Sequence, residues 1–266
     1  MGENYSGEEK EFCISVDGVS VRGELYAPPE FPGDNSLSAP FLVFCHGIPA
    51  GNASPEKRSR GYRLWGRFLS HRRGYPVVFF NFRGTGVSGG NLNLKEWCAD
   101  LRAVLDWCES TAGSSFPGAV LVGFSAGATV AVEVASSDRR VKGVAAGACP
   151  VHFDFLFEGL GLKGVMEWIR TTGLFRDSDY PSSPEKWKED FLSVRPRDKI
   201  SSLSPRPLLL LHGLNDHMVP ADQARELYQV AGKPCELQLL KRAGHQLRNY
   251  PRVFHLLLSW MHRHNL

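Results

Sequence analysis

Ser125 lies at the centre of the pentapeptide Gly-Phe-Ser-Ala-Gly, residues 123–127. An uninterrupted apolar run, residues 119–122, precedes it, and small residues at helical spacing follow it. The five letters alone are a weak signal, because the chain contains 27 glycines and a chance match is common. Between a strand and a helix, however, two glycines permit the tight turn that lifts a serine above a sheet edge. We therefore predict that Ser125 is a nucleophile.

A serine hydroxyl is a poor nucleophile near neutral pH unless a base takes its proton and a third group holds that base in one tautomer. Two residues further along the chain supply these groups. Asp216 follows the apolar run 208–211, and His245 follows the run 236–240. Because the carboxyl ends of parallel strands meet at one edge of a sheet, we expect both side chains to lie beside Ser125. We predict that His245 is the general base and that Asp216 orients it.

Other histidines and aspartates are alternatives to this assignment. Asp154, close to His152, follows the preceding apolar run and is the alternative acid. His46 and His212 precede glycines at the ends of apolar runs, a position that favours a structural side chain held beneath the site. His217 lies within the predicted acid loop and is expected to be exposed. Asp154 therefore stays open as the second candidate for the acid.

Acyl transfer through a serine also requires donors for the charged oxygen of the tetrahedral intermediate. Removing one such donor typically raises the barrier by about 2.7 to 4 kcal/mol. Residues 46–49, His-Gly-Ile-Pro, follow the apolar run 41–45 and precede the first long helical segment. A backbone amide there, together with one at the start of the helix after the serine, suits this role. We predict that the amides of Ile48 and Ala126 form the oxyanion hole.

The spacing of apolar residues predicts the elements that position these groups. Two alternating segments, 12–16 and 19–25, flank Asp17 and Gly18, a dipeptide typical of a tight hairpin. Short apolar runs then alternate with segments of helical period, which indicates parallel strands buried on both faces. The runs are 41–45, 76–80, 119–122, 141–146, 208–211 and 236–240, and the helical segments are 56–73, 94–108, 126–134, 221–230 and 253–264.

Residues 150–206 interrupt this alternation, because they contain no convincing strand but many aromatic residues. The aromatics are Phe153, Phe155, Phe157, Trp168, Phe175, Tyr180, Trp187 and Phe191. We predict a small, mostly helical cap, inserted into a single domain that spans residues 1–266, which roofs the active site with an apolar wall. We expect about half of the aromatics to fix the cap to the body instead.

Composition and charge exclude several classes of protein. The net charge is +3, from 31 Lys and Arg against 28 Asp and Glu, a surplus too small to indicate nucleic acid or anionic lipid as a partner. The basic segment 57–73 also carries apolar residues at helical spacing, so Arg60, Arg63 and Arg67 are expected on the wet face of a helix. No run approaches 18 apolar residues, and residues 1–11 are polar without an apolar leader. We expect a cytoplasmic protein that does not span a membrane.

The six cysteines are scattered along the chain and form no CxxC pair. This spacing argues against both a disulfide framework and a metal site. Cys45 lies inside an apolar run and reads as a small buried residue. Its neighbour His46 suggests a cysteine–histidine pair only weakly, because adjacent residues of a strand point to opposite faces.

Residues 81–88, Asn-Phe-Arg-Gly-Thr-Gly-Val-Ser, complete a wider pattern. With the serine pentapeptide, the His-Gly turn and the order Ser125, Asp216, His245, they resemble the α/β-hydrolase superfamily over nearly the whole chain. Asn81 stands where the family usually has Asp, which bears on loop structure more than on chemistry. The hairpin, this loop and the short cap are similar to intracellular acyl esterases of the cinnamoyl-esterase and serine-aminopeptidase-like branch. The resemblance implies an α/β-hydrolase fold with an eight-stranded, mostly parallel sheet, no cofactor and a covalent acyl-enzyme.

These residues favour hydrolysis of a carboxylic ester with a small to medium apolar acyl or aryl group. A peptidase, a thioesterase or a C–C bond hydrolase could use the same triad, and an acidic cap residue such as Glu158 or Glu167 would favour an aminopeptidase. Dehalogenases and epoxide hydrolases are disfavoured, because their relatives carry Asp in place of Ser125. A non-catalytic binding protein is the remaining alternative. The expected partner is a small-molecule ester, without metal, nucleic acid or membrane, and a homodimer is a possible assembly.

Overall fold

A central sheet of eight strands organises the chain. The computed structural model describes residues 7–29, 31, 39–49 and 55–266, and within 55–61 only the helical backbone. The strand order is β1-β2-β4-β3-β5-β6-β7-β8. The strands are Glu8–Val16 (β1), Val19–Ala27 (β2), Phe41–Cys45 (β3), Val77–Asn81 (β4), Ala119–Phe124 (β5), Val141–Gly147 (β6), Leu208–Gly213 (β7) and Cys235–Leu240 (β8).

The pairing pattern confirms the predicted mostly parallel sheet. β1 and β2 form an antiparallel hairpin, and β2 pairs antiparallel with β4. Every other pair, from β4–β3 through to β7–β8, is parallel. All residues of β3, β5 and β7 are buried, as expected for strands covered by helices on both faces. The carboxyl ends of these parallel strands therefore meet at one edge.

Helices cover the two faces of the sheet. They are Pro55–Arg73 (α1), Leu94–Ala112 (α2), Ala126–Ser137 (α3), Asp154–Thr171 (α4), Pro184–Leu192 (α5), Pro196–Lys199 (α6), Ala221–Val230 (α7) and Pro251–Arg263 (α8). Apolar residues of α1 and α8 share one core cluster, and those of α2, α3 and the 150–206 region share the other. None of the described helices is both long enough and apolar enough to cross a bilayer.

Several predicted boundaries are too narrow. β1 begins at Glu8 rather than at residue 12, because backbone pairing with β2 continues to Ala27 whatever the polarity of the side chains. α2 continues past residue 108 to Ala112. The prediction stopped too early because these last residues are mostly polar and show no apolar residues at helical spacing. On α1, Arg63 and Arg67 lie at the surface and pair with Glu24 and Glu9. The side chain of Arg60 lies outside the described residues.

Residues 150–206 contain the helices α4, α5 and α6 and no strand. α4 bends at Gly161, whose φ of 65° and ψ of 170° are not helical. Five of the predicted cap aromatics are buried and pack into the core, so they fix this segment to the body: Phe153, Phe157, Phe175, Trp187 and Phe191. The indole Nε1 of Trp187 also donates a hydrogen bond to the carbonyl of Leu92 at 2.8 Å.

A buried ion pair anchors the loop after β4. Arg83 donates to both carboxylate oxygens of Asp100, from its amide at 2.9 Å and from Nε and Nη2 at 2.9 and 2.7 Å. The ring of Phe82 stacks on Trp97, with centroids 4.4 Å apart. The amide of Phe82 in turn donates to Nε2 of His46 at 3.3 Å. The loop therefore holds His46 and, through it, the predicted oxyanion turn.

We predict that Asp100→Ala destabilises the protein by about 3–5 kcal/mol, because it removes the fully buried partner of Arg83 and leaves only the more exposed Glu96 and Asp17 as counter-charges. The control is Asp106→Ala on the same helix, whose side chain is 67% exposed and pairs with Arg140. That exposed pair contributes roughly 1 kcal/mol or less. Urea unfolding of the two variants measures the difference, and equal losses would contradict the role given to Arg83 and Asp100.

Candidate active site

Ser125 occupies a strained turn between β5 and α3. Its φ of 53° and ψ of −126° are a conformation that costs a non-glycine residue of order 1–3 kcal/mol. The amide of Ser125 donates to the carbonyl of Gly147 in β6 at 2.8 Å. Its carbonyl accepts from the amides of Ala128 and Thr129 in α3, at 2.9 and 3.1 Å. The neighbouring strand and the helix together hold the turn and present the hydroxyl at the sheet edge.

Close backbone approach explains the glycines around this turn. A Cβ at Gly127 would collide with the carbonyl oxygens of Cys45 and His46. A Cβ at Gly47 would lie 2.9 Å from Cβ of Ser125. The loop after β3 therefore packs directly against the serine turn, which only glycine permits at these positions.

The structure brings Ser125, His245 and Asp216 into one hydrogen-bonded line. Nε2 of His245 lies 3.1 Å from Oγ of Ser125, and Nδ1 lies 2.8 Å from Oδ2 of Asp216. The Asp216 side chain is fully buried, whereas the His245 side chain is 17% exposed. Since a carboxylate only accepts hydrogen bonds, Nδ1 carries the proton and Nε2 is free to accept from the serine hydroxyl. This is the tautomer that a general base requires.

Four donors surround the carboxylate of Asp216. Oδ1 accepts from the amides of Met218 and Val219, both at 2.9 Å. Oδ2 accepts from His245 and lies 3.3 Å from Nε2 of His212. Burial raises the pKa of this carboxyl, but the hydrogen bonds from His212, His245 and Val219 together hold the pKa well below its ordinary value. Asp216 is therefore ionised at neutral pH.

The loops that carry the acid and the base are joined by backbone hydrogen bonds. The amide of Asn215 donates to the carbonyl of Ala243 at 2.9 Å. The amide of Gly244 donates to the hydroxyl of Tyr250 at 3.0 Å. The imidazole of His245 is thus fixed from both sides of its own loop. Tyr250 is a positioning group that sequence reasoning missed, because it lies outside every apolar run.

The two predicted oxyanion donors lie on either side of the serine. Ala126 is the first residue of α3, so its amide N–H has no acceptor within the helix. Ile48 follows Gly47, which touches Ser125. Among the hydrogen bonds of the described residues, none uses the amide of Ile48 or Ala126. Both amides therefore lack an acceptor within the described residues, and their catalytic role is a proposal.

The alternative acid lies elsewhere. Oδ2 of Asp154 is 2.9 Å from Nδ1 of His152 and 3.2 Å from Nη1 of Arg195, so it pairs within the 150–206 region and does not pair with His245. His217 is exposed, as expected. His46 is structural, because its Nδ1 donates to the carbonyl of Gly47 at 2.7 Å.

His212 is the residue whose contacts were not foreseen. It was expected beneath the site, yet its ring lies within reach of Asp216 itself. The sequence contained one signal for this contact. His212 lies four residues before Asp216, at the end of the apolar run whose following turn carries the acid.

The cysteine next to the predicted oxyanion turn is not a candidate nucleophile. Cys45 is fully buried, and burial, followed by the influence of Cys98, raises the pKa of its thiol, so it stays protonated. All six cysteines are free thiols. In the described ranges, no group of three or more His, Cys, Asp or Glu side chains is placed to hold a metal ion.

Comparison with known proteins agrees with this architecture. A model of the alpha/beta hydrolase family matches residues 42–254. The uncharacterized protein YfhR of Escherichia coli strain K12 is 26% identical over 241 residues, which cover 91% of this chain and 74% of that protein. The Pyrococcus furiosus esterase Pf2001 aligns with a TM-score of 0.70 and 21% identity, over 98% of this chain and 92% of that one. The Pyrococcus horikoshii acylaminoacyl peptidase aligns with a TM-score of 0.68 and 19% identity, over 97% and 42%. At such identities, the two structural likenesses show the fold alone.

The strain at residue 125 leads to a stability prediction. Glycine is normally less stable than alanine by roughly 0.5–1 kcal/mol inside a regular element. At φ 53° the order should reverse, because glycine alone tolerates this conformation. We expect Ser125→Gly to be about 1 kcal/mol more stable than Ser125→Ala in urea unfolding. The same two substitutions at Ser136, inside α3, provide the control and should show the ordinary order. A more stable Ser125→Ala variant would contradict the strain.

Proposed function

We propose that this chain, which belongs to the alpha/beta hydrolase family, is a serine hydrolase that cleaves carboxylic esters of small to medium apolar acyl or aryl groups. The observation that carries the proposal is the continuous hydrogen-bonded line from Ser125 through His245 to Asp216. Acyl transfer needs a serine hydroxyl that is hydrogen-bonded to a base, a base held in one orientation, and an ionised acid that holds it.

In the first half of the proposed reaction, Oγ of Ser125 attacks the ester carbonyl carbon while Nε2 of His245 takes the hydroxyl proton. The carbonyl oxygen becomes an oxyanion, and the amides of Ile48 and Ala126 donate to it. Asp216 stabilises the imidazolium that forms. The intermediate then expels the alcohol, which receives the proton from His245, and the acyl group remains on Ser125.

In the second half, water takes the place of the alcohol. His245 removes a proton from the water as its oxygen attacks the acyl carbon. The tetrahedral intermediate collapses, the carboxylic acid leaves, and the proton returns to Oγ of Ser125. The enzyme is regenerated without a redox change, and no cofactor is required for the balance.

The apolar character of the substrate is inferred from the surroundings of the acid. Leu214 and Met218 lie two residues to either side of Asp216, and they are 42% and 55% exposed. The loop that carries Asp216 therefore exposes two apolar side chains, and we take this as support for an apolar group in the substrate. The family likeness to structures named as esterases supports the same class.

A peptidase would use the same triad but would also need to hold the substrate's amine. Glu158 and Glu167, the acidic residues considered for that purpose, are exposed on α4. In the described part of the chain, neither makes a hydrogen bond or ion pair with a triad residue. Ester hydrolysis is the proposed activity, and the thioester and amide reactions are outcomes that a substrate panel would reveal.

The direct test is hydrolysis of p-nitrophenyl esters with acyl chains from acetate to decanoate. We expect wild-type turnover with an optimum at short to medium chains, and a loss of at least about 10⁴-fold in kcat for Ser125→Ala. Ser136→Ala, at the far end of the helix that follows Ser125, is the matched control and should keep the wild-type rate. A Ser125→Ala variant as active as the control would overturn the proposal, and so would a wild-type protein without turnover on any chain length.

A further inference from the structure

The imidazole of His212 is buried at the end of β7 and touches the acid. The ring has no exposed surface. Its Nε2 lies 2.8 Å from the carbonyl oxygen of Val219 and 3.3 Å from Oδ2 of Asp216. Both partners are acceptors, because Asp216 is ionised. Nε2 must therefore carry a proton, which is hydrogen-bonded to the Val219 carbonyl and lies close to the Asp216 carboxylate.

The second ring nitrogen of His212 fixes the charge of the ring. Nδ1 is buried and has no hydrogen-bond partner among the described residues. A proton on Nδ1 would place a charged N–H in the interior without an acceptor, which is more costly than a buried lone pair. The geometry thus selects a neutral His212, with the proton on Nε2.

His212 closes the turn that carries the acid. The turn leaves β7 at Gly213, where the amide of Leu214 donates to the carbonyl of Leu240 at 3.0 Å. It returns at Val219, whose carbonyl accepts from His212. One side chain therefore ties the strand end to the far end of the turn, and the same N–H reaches the carboxylate oxygen that orients His245.

We infer that His212 is a positioning residue for the proposed reaction: its neutral imidazole donates from Nε2 to Asp216 and Val219, and so holds the acid in line with His245. The expected effect on kcat rests on the proposed function, whereas the tautomer and the hydrogen bonds of His212 do not depend on it. His212 does not touch the substrate, and its effect passes through Asp216.

The donor on Oδ2 has an effect that packing alone would not produce. It draws negative charge away from the oxygen that accepts from His245. Without it, Oδ2 is more negative and stabilises the protonated His245 more strongly. Asp216 and Ser125 are the polar side chains that contact the His245 ring in the described residues. Removing the donor should therefore move the acidic limb of kcat/KM to higher pH.

Two substitutions separate donation from packing. His212→Gln keeps an N–H donor near the position of Nε2, whereas His212→Leu fills similar space without a donor. For p-nitrophenyl butyrate we expect His212→Leu to lose about 10- to 100-fold in kcat with KM changed less than twofold, because a small misplacement of a catalytic group has effects of this size. The acidic limb of kcat/KM should move to higher pH. His212→Gln should recover most of kcat and the wild-type limb.

The control is His255→Leu on α8, whose exposed imidazole bonds only its own helix, at the carbonyl of Pro251. It should match the wild type in kcat and pH profile. A His212→Leu variant with wild-type kcat and pH profile would overturn the inference. Equal losses in His212→Leu and His212→Gln, with the acidic limb unmoved, would also overturn it, because packing alone would then explain the effect.

A second measurement keeps the inference falsifiable if His212→Leu does not fold. Long-range ¹H–¹⁵N correlation spectra of the wild-type protein should show His212 protonated at Nε2 and unprotonated at Nδ1 at neutral pH. Protonation at Nδ1 would overturn the inference. Failure of the proposed function has a different signature: no Ser125-dependent hydrolysis in the wild type, whatever the tautomer of His212.

Discussion

The hydrogen bond from Nδ1 of His245 to Oδ2 of Asp216 is the interaction on which the site depends. It joins two loops that leave neighbouring strands, β7 and β8, and it selects the tautomer that turns Nε2 towards Ser125. If it were lost, the imidazole could rotate or present an N–H to the serine, and the hydroxyl would have no base. The low pKa of Asp216 keeps this bond charge-assisted at neutral pH.

Much of the surrounding structure stabilises groups that would be unfavourable alone. Ser125 has a backbone conformation that disfavours a side chain, and the turn is held by hydrogen bonds to β6 and α3. Asp216 is a carboxylate in a buried position, and four donors compensate for its lost hydration. The same compensation occurs in the loop after β4, where the carboxylate of Asp100 pairs with the buried guanidinium of Arg83. Local instability at the site is offset by the sheet and helices beneath it.

The parts of the fold with a regular apolar pattern were predictable from sequence. The strand β3 and the first four residues of β7 are uninterrupted apolar runs, and the serine turn follows from glycines between a strand and a helix. That Asp216 and His245 lie close together could be predicted, because parallel strands bring their following loops to one edge. This convergence is a property of the topology and needs no knowledge of side-chain contacts.

The remaining features depend on contacts between side chains distant in sequence. The role of His212 depends on a turn of seven residues returning to its ring, which no periodicity records. Asp154 pairs with Arg195, 41 residues away at the start of α6, as well as with its neighbour His152, so sequence alone left that acid open. The bend at Gly161 and the contact of Tyr250 with Gly244 have the same origin.

The most direct test of the central claim is covalent labelling of the native protein with a fluorophosphonate, followed by peptide mapping. A serine activated by His245 and Asp216 should take up one label per chain, on the peptide that contains Ser125, and His245→Ala should abolish the labelling. A native, folded protein that stays unlabelled, or that carries the label on another residue, would contradict the conclusion that this line of hydrogen bonds creates a nucleophile.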